Sequence, residues 1–261
     1  MIQPIAAIAR VTIQESLRDR ILYGVLAFGI GLILLSAVLS NVTLGWPVRI
    51  VTDFSISAIS IGGSAMAILL GVRAVAGELE KRVAYPVLAR PIPRGWYVLG
   101  KYLGVVGTVY LNVLLMIVAA TVMIAAYSHS GPFEYPAMAY VATLGLLLLK
   151  LALIASIAVF FSSFTSSTVA FIASSGLTLA GHLTGELRFF LGKSESEATR
   201  LLGDILYWTL PDMATMEGLA RLIHGQEVVN GLAAAAAVYG TCYVGALLLL
   251  ASMAFEKRDL S

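Results

Sequence analysis

The sequence predicts an all-α integral membrane protein. It has six transmembrane helices, an interfacial helix at the N-terminus, a helical cytoplasmic segment after the second span, and short re-entrant or amphipathic helices outside, before the last span. Three observations carry this. Hydrophobic residues make up 59% and charged residues 12% of the 261 positions, whereas a soluble domain has about 45–50% and about 25%. A soluble fold of this length cannot hide so much apolar surface, so the solvent is lipid. The apolar residues gather in six runs near the roughly 20 residues a spanning helix needs. The positive charges fall mostly on one side of the alternation those spans create.

Residues 1–20 come first. Ile5, Ala9, Ile13 and Leu17 recur at helical spacing, with Arg10, Gln14, Arg18 and Asp19 on the other side. That pattern is an interfacial helix. A cleavable signal would place basic residues before the apolar run and end at a small-residue site. The spans follow at about 21–42, 54–75, 102–127, 137–161, 169–187 and 232–255. Their apolar residues surround each helix, as lipid and bundle contacts require, and the runs are too long and unalternating for barrel strands. The single cysteine, Cys242, lies in an apolar run and supports neither a disulfide framework nor a thiolate metal site.

With six spans, Arg10, Arg18, Arg20, Arg73, Lys81, Arg82, Arg90, Arg94, Lys101, Lys257 and Arg258 share one side. Arg49, Arg188, Lys193, Arg200 and Arg221 fall on the other. The bias puts both termini and the 76–101 connection in the cytoplasm. The short connections make neighbouring spans antiparallel, and "SSFTSST" at 162–168 fits a tight turn. The external connection, 188–231, is more acidic. Within it Pro211 and Asp212 suit the start of a short helix, and Tyr207 and Trp208 suit headgroup level. The whole chain, 1–261, is expected to form one transmembrane domain, with the 1–20, 76–101 and 188–231 segments as its appendages.

Polar residues inside the spans are candidate pathway positions. Lys150 lies near mid-span, where burial costs on the order of 3 kcal/mol on insertion scales and the ammonium must find protein or water. An anionic substrate or headgroup is one partner for it; an inter-helix pair or snorkelling is the other. His182 and Glu186 stand one turn apart near an outer end, placed to face a cavity, and Arg73 sits at a span end, placed to snorkel. The three histidines are widely separated, and no motif for hydrolytic, metal or nucleophilic catalysis is present in the sequence. No catalytic, cofactor or metal residues are therefore assigned.

The stretch Gly95–Tyr102, "GWYVLGKY", is one residue short of a phosphate-binding loop. Such a loop needs small residues whose N–H groups converge on phosphate, and a terminal hydroxyl for Mg²⁺. Trp96, Tyr97, Val98 and Leu99 occupy the flexible positions, Tyr102 the last, and a span follows. The residues fit an interfacial helix start instead. Trp96 and Tyr97 sit at headgroup level, Lys101 snorkels, and Gly100-x-x-x-Gly104 admits another helix.

The segment before it, "GELEKRVAYPVLARPIPRGWYVLGKYLG", resembles the cytoplasmic signature of ABC-type-2 permeases, the membrane subunits of ATP-binding-cassette exporters. Glu78 matches the family's acid, Leu88 its apolar helix, Arg90-Pro91-Ile92 and Arg94 its basic-proline core, and Gly100-Lys101 its ending. Arg82-Val83 replaces the family's Gly-Thr. Six spans, the leader helix, the external loop and the basic C-terminus match in layout, with some similarity to permeases of copper-enzyme maturation. The resemblance implies a coupling helix seated on a separate ATPase subunit, which would hold the ATP and Mg²⁺. Glu78, Glu80, Lys81, Arg82, Tyr85, Leu88, Arg90, Pro91 and Arg94 would form that contact. It implies further a homodimer or a heterodimer with a similar permease, contact with membrane lipids, and no nucleic acid. A membrane scaffold or channel, or an autonomous intramembrane lipid-modifying enzyme, is the competing reading.

Overall fold

The computed structural model describes residues 3–42, 47–81, 93–128, 137–193, 199–201, 204, 209–218 and 232–258, and the described residues are helices joined by turns. They are α1 (Gln3–Ser16), α2 (Arg20–Val42), α3 (Pro47–Val72), α4 (Arg94–Ser128), α5 (Ala137–Ser162), α6 (Ser167–His182), α7 (Thr184–Gly192), α8 (Met213–Gly218) and α9 (Leu232–Glu256). A π-helical stretch, Arg73–Gly77, and a last turn, Glu78–Glu80, continue α3 without a break in direction. Among the described residues five helical segments are long and apolar enough to cross a membrane, and they begin at Arg20, Val48, Arg94, Tyr140 and Ala233.

The run at 169–187 is different. It divides into α6, of 16 residues, and α7, separated at Leu183 with φ −99° and ψ 7°. At 1.5 Å per residue α6 is about 24 Å long, short of the roughly 30 Å hydrocarbon layer. Its end stops where another segment arrives: a Cβ on Gly181 would lie 2.6 Å from the Pro211 carbonyl oxygen. The Pro211–Met213 turn and α8 thus complete that end of the bundle. The predicted helix of the external loop exists, starting at Met213, while Tyr207, Trp208 and residues 219–231 lie outside the described residues.

The centre is α3 against α5. In their most apolar stretches 67% of residues are buried, against 22% in α2 and 17% in α9, so lipid-facing helices surround this pair. Lipid tails are as apolar as leucine, so burial of apolar surface cannot by itself hold helices together. Close approach does. A Cβ on Gly71 would fall 2.7 Å from the Ala158 Cβ, and Ala67, Ala155 and Ala158 are buried around it. Several side-chain hydroxyls on the helices bond back to their own helix or to a neighbour's carbonyl, as hydrocarbon favours, while Ser55 Oγ and Thr178 Oγ1 are buried without a hydrogen-bond partner. Thr108 donates to Gly104 O at 2.9 Å, and Tyr110 reaches Leu148 O at 3.0 Å.

The predicted leader helix is α1, and the glycines of "GKYLG" receive it. A Cβ on Gly104 would meet Thr12 Cβ at 2.5 Å and Ala9 O at 2.9 Å. Ile5, Ile8, Ala9 and Thr12 turn toward α4, with Thr12 fully covered and Val11 exposed. The apolar face of α1 therefore packs on protein, with the opposite face left outward. Gly104→Ala is expected to lower stability by about 1–3 kcal/mol through overpacking, measured by reversible unfolding in mixed micelles. Gly145→Ala, where a Cβ meets nothing within 4 Å, should cost nothing.

Candidate functional site

Two regions gather the polar residues of the chain. The first lies at the end of α3, flanking the 82–92 connection. Glu78 is half-buried there against α4. Lys101 donates to its Oε1, and Tyr97 O–H to its Oε2 at 3.0 Å. Tyr97 and Lys101 are four residues apart on one helix face, so both point at the same carboxylate. Tyr97 is 2% exposed and stacks on Phe255 of α9, centroids 5.6 Å apart. Lys101 is 4% exposed. Neither residue therefore does what its sequence context suggested. Lys101 is turned inward to a carboxylate rather than snorkelling, because Glu78 lies within its reach, and Tyr97 is core rather than headgroup level. Arg73 likewise pairs with Asp19, in the elbow between α1 and α2.

Further contacts extend from this pair. Glu80 lies at the start of α6 and accepts from both Ser167 N and Ser167 Oγ, each at 2.7 Å. It thus serves as the cap that the Ser166 side chain does not supply, with a carboxylate at the positive end of the helix. Arg94 donates to Glu256 O at 3.0 Å and to Arg258 O at 3.1 Å, satisfying the last carbonyls of α9. Arg258 in turn donates to Ser162 O and Ser163 O at 3.2 Å, at the end of α5. The contacts close on themselves: from α3 to α4, to the end of α9, to the end of α5, across the Ser163–Ser166 turn to α6, and back to α3.

A cleft of about 680 Å³ opens beside this ring, lined by Glu15, Asp19, Arg73, Glu78, Glu80, Lys81 and Ser167 among others. It brings Glu78, Glu80 and Lys81 of the predicted coupling set together, while Arg94 stands apart against α9. Arg82, Tyr85, Leu88, Arg90 and Pro91 lie outside the described residues. Partial burial pushes the Asp19 carboxyl upward, but the Ile21 N–H, Arg73 and Lys81 outweigh it and hold the group below its ordinary value. The stability it contributes is therefore present above the ordinary carboxylate range and is lost only as pH falls through the lowered value.

The second region is a cavity of about 510 Å³ between α3, α5 and α6, partly closed by Met216 of α8. Ser57, Ser60 and Ser64 of α3 face it at helical spacing, with Thr143 and Lys150 of α5 and Ser175, Thr178 and His182 of α6. Lys150 is fully buried and donates to Ser60 Oγ at 2.8 Å. His182 Nδ1–H reaches Thr178 O at 2.7 Å. The structure thus joins Lys150 and His182 in one cavity. Glu186 does not join them: the break at Leu183 takes it off the His182 helix, and it is exposed on α7. Above the cavity, Thr184 Oγ1 donates to Asp212 Oδ1 at 3.3 Å, and Tyr243 O–H to Thr209 O at 2.9 Å. Among the described residues no three His, Cys, Asp or Glu side chains converge as a metal site would need.

A bundle of long apolar helices around a polar cavity, with a charged ring at one end, marks a multi-pass membrane protein. A family model for ABC-2 family transporter proteins matches residues 34–260, and the chain belongs to that family. Its members are in general membrane permease subunits of ABC transporters, not themselves enzymes, that pair with an ATP-binding-cassette ATPase. No match is found among curated proteins.

Removing one partner of a buried ion pair strands the other charge and costs roughly 3–5 kcal/mol. Lys101→Met and Glu78→Gln should each approach that loss in unfolding free energy in micelles. The double variant should recover most of it, since no buried charge is then left unpaired.

Proposed function

We propose that the chain is the permease subunit of an ATP-driven exporter in a bacterial-type inner membrane, with both termini cytoplasmic and a sixth crossing completed by α6 and the segments that meet its end. The 78–94 segment seats a separate ATPase subunit, which binds ATP and Mg²⁺, and two permeases, identical or similar, form the pathway. The observation that carries this reading is the closed ring of contacts at the ends of the connection. Glu78 and Lys101 tie its two ends to each other, so a push on 82–92 reaches α3 and α4 together. Glu80 ties the same point to the first residue of α6, the helix that carries Ser175, Thr178 and His182 to the cavity. A displacement of a few ångströms at the coupling segment is thereby delivered to a cavity wall through stiff helices instead of being absorbed in a loop.

In membranes of its host, the tagged chain should retain an ATPase of the cassette class whose hydrolysis drives substrate across proteoliposomes. Glu80→Ala, which removes both hydrogen bonds to α6 without touching 82–92, should leave the ATPase bound and hydrolysing while transport falls by about tenfold or more; Ser167→Ala, which removes one of the two, should lower transport less. Transport in liposomes that lack any ATPase overturns the reading.

A further inference from the structure

The α3–α5–α6 cavity also indicates what it holds. Threonine hydroxyls elsewhere in the bundle are spent on their own backbone: Thr12 of α1, Thr52 of α3 and Thr108 and Thr121 of α4 each donate to the carbonyl four residues back, at 2.7–2.9 Å. Thr178 departs from this. It is 6% exposed, it lines the cavity, and its Oγ1 has no hydrogen-bond partner. Its own carbonyl is engaged by His182. A buried hydroxyl left this way is costly unless something polar meets it. In the same cavity the buried Lys150 ammonium donates to Ser60 Oγ.

The rest of the lining mixes aliphatic side chains with the hydroxyls of Ser57, Ser64, Thr143 and Ser175. Ile56, Leu147 and Leu179 contribute wall, and no described lining residue is Phe, Tyr, Trp, Asp or Glu. A planar aromatic ligand finds only the His182 ring to stack on, and an anionic group meets no like charge. The mouth is lateral: Ile61 and Leu179 line the cavity and are yet 61% and 66% exposed on the outer surface. Ile61 stands on the spanning helix α3 and Leu179 on the neighbouring α6, so the opening lies on the apolar outer face of the bundle. Its volume is ample for a small head and the first part of a chain.

We infer that the cavity binds a single-chain amphiphile with a small oxyanion head, a phosphate or carboxylate. The head sits between Lys150 and Thr178, and the aliphatic chain leaves past Ile61 and Leu179. The hydroxyl of Thr178 and the ammonium of Lys150 both donate to the head, which a cationic or purely hydrocarbon ligand would not allow. This deepens the transport reading and rests on it for the fate of the bound molecule; the binding itself needs no ATPase.

Equilibrium binding of radiolabelled dodecyl phosphate to the full chain in phosphatidylcholine nanodiscs tests it. Saturable binding of about one molecule per chain is expected, displaced by unlabelled dodecyl phosphate and not by dodecyltrimethylammonium or inorganic phosphate at equal concentration. Thr178→Val keeps shape and charge and should weaken binding about fivefold. Lys150→Met should weaken it more than about tenfold, and Thr121→Val should leave it unchanged. Non-saturable binding, or saturable binding indifferent to Thr178→Val, overturns the site. Equal displacement by the ammonium amphiphile overturns the oxyanion head, and displacement by inorganic phosphate overturns the aliphatic chain. Absence of binding in a chain that still carries its ATPase defeats this inference alone; binding intact in a chain that never associates with an ATPase defeats the transporter reading alone.

Discussion

A carboxylate and an ammonium enclosed in protein are expensive to desolvate, and each is tolerable only while the other is in place. Glu78 and Lys101 are such a pair, and around them α1, α3, α4 and α9 take their positions. Tyr97 completes the carboxylate's coordination and presents its ring to Phe255. Glu15 of α1 approaches the same ammonium at 4.0 Å. Because the ion pair joins residues on either side of the 82–92 connection, it defines where that connection begins and ends. The π-helical turn just before it, Arg73–Gly77, shifts the helix register by one residue and leads directly into Glu78 and Glu80, whose carboxylates reach α4 and α6 respectively.

Away from this end, cohesion is of another kind. Small residues let α3 and α5 approach until backbone meets backbone, and tyrosines on α4 reach carbonyls of α5. Such packing is dense and poor in charge. The polar cavity therefore stands out within it: its hydroxyls and its lysine occupy helix faces that hydrocarbon-exposed sequence would have filled with leucine.

Much of the architecture was legible in the sequence because lipid imposes simple rules. Long apolar runs gave the spans, the periodicity of residues 1–20 gave α1, and Gly100 and Gly104 indicated that a helix would approach. The identity of that helix was not legible, because a small-residue notch says nothing about its occupant. Lys150 was recognisable as a mid-span charge, and His182 as a polar residue near a helix end; only folding brings them into one cavity. Thr178 carried no signal, since a threonine that bonds its own helix and one that does not look alike in sequence. The inward turn of Tyr97 and Lys101 was encoded in their i, i+4 spacing, but headgroup-level placement is the commoner fate of such residues. The break at Leu183 was hidden because both halves are apolar enough to pass for one run.

That break has a consequence for the edge that meets the membrane. A helix of about 24 Å under a hydrocarbon layer of about 30 Å leaves a deficit that either the bilayer or the protein must absorb. Beyond the break, α7 carries Phe189 and Phe190, 58% and 71% exposed, with the Lys193 ammonium 4.0 Å from the Phe189 ring centroid. Aromatic rings beside a cation suit the headgroup boundary. The Pro211 segment that meets the end of α6 takes up that deficit on the protein side, so the margin of the bundle beside the cavity is built from two pieces of chain where its other helices are single.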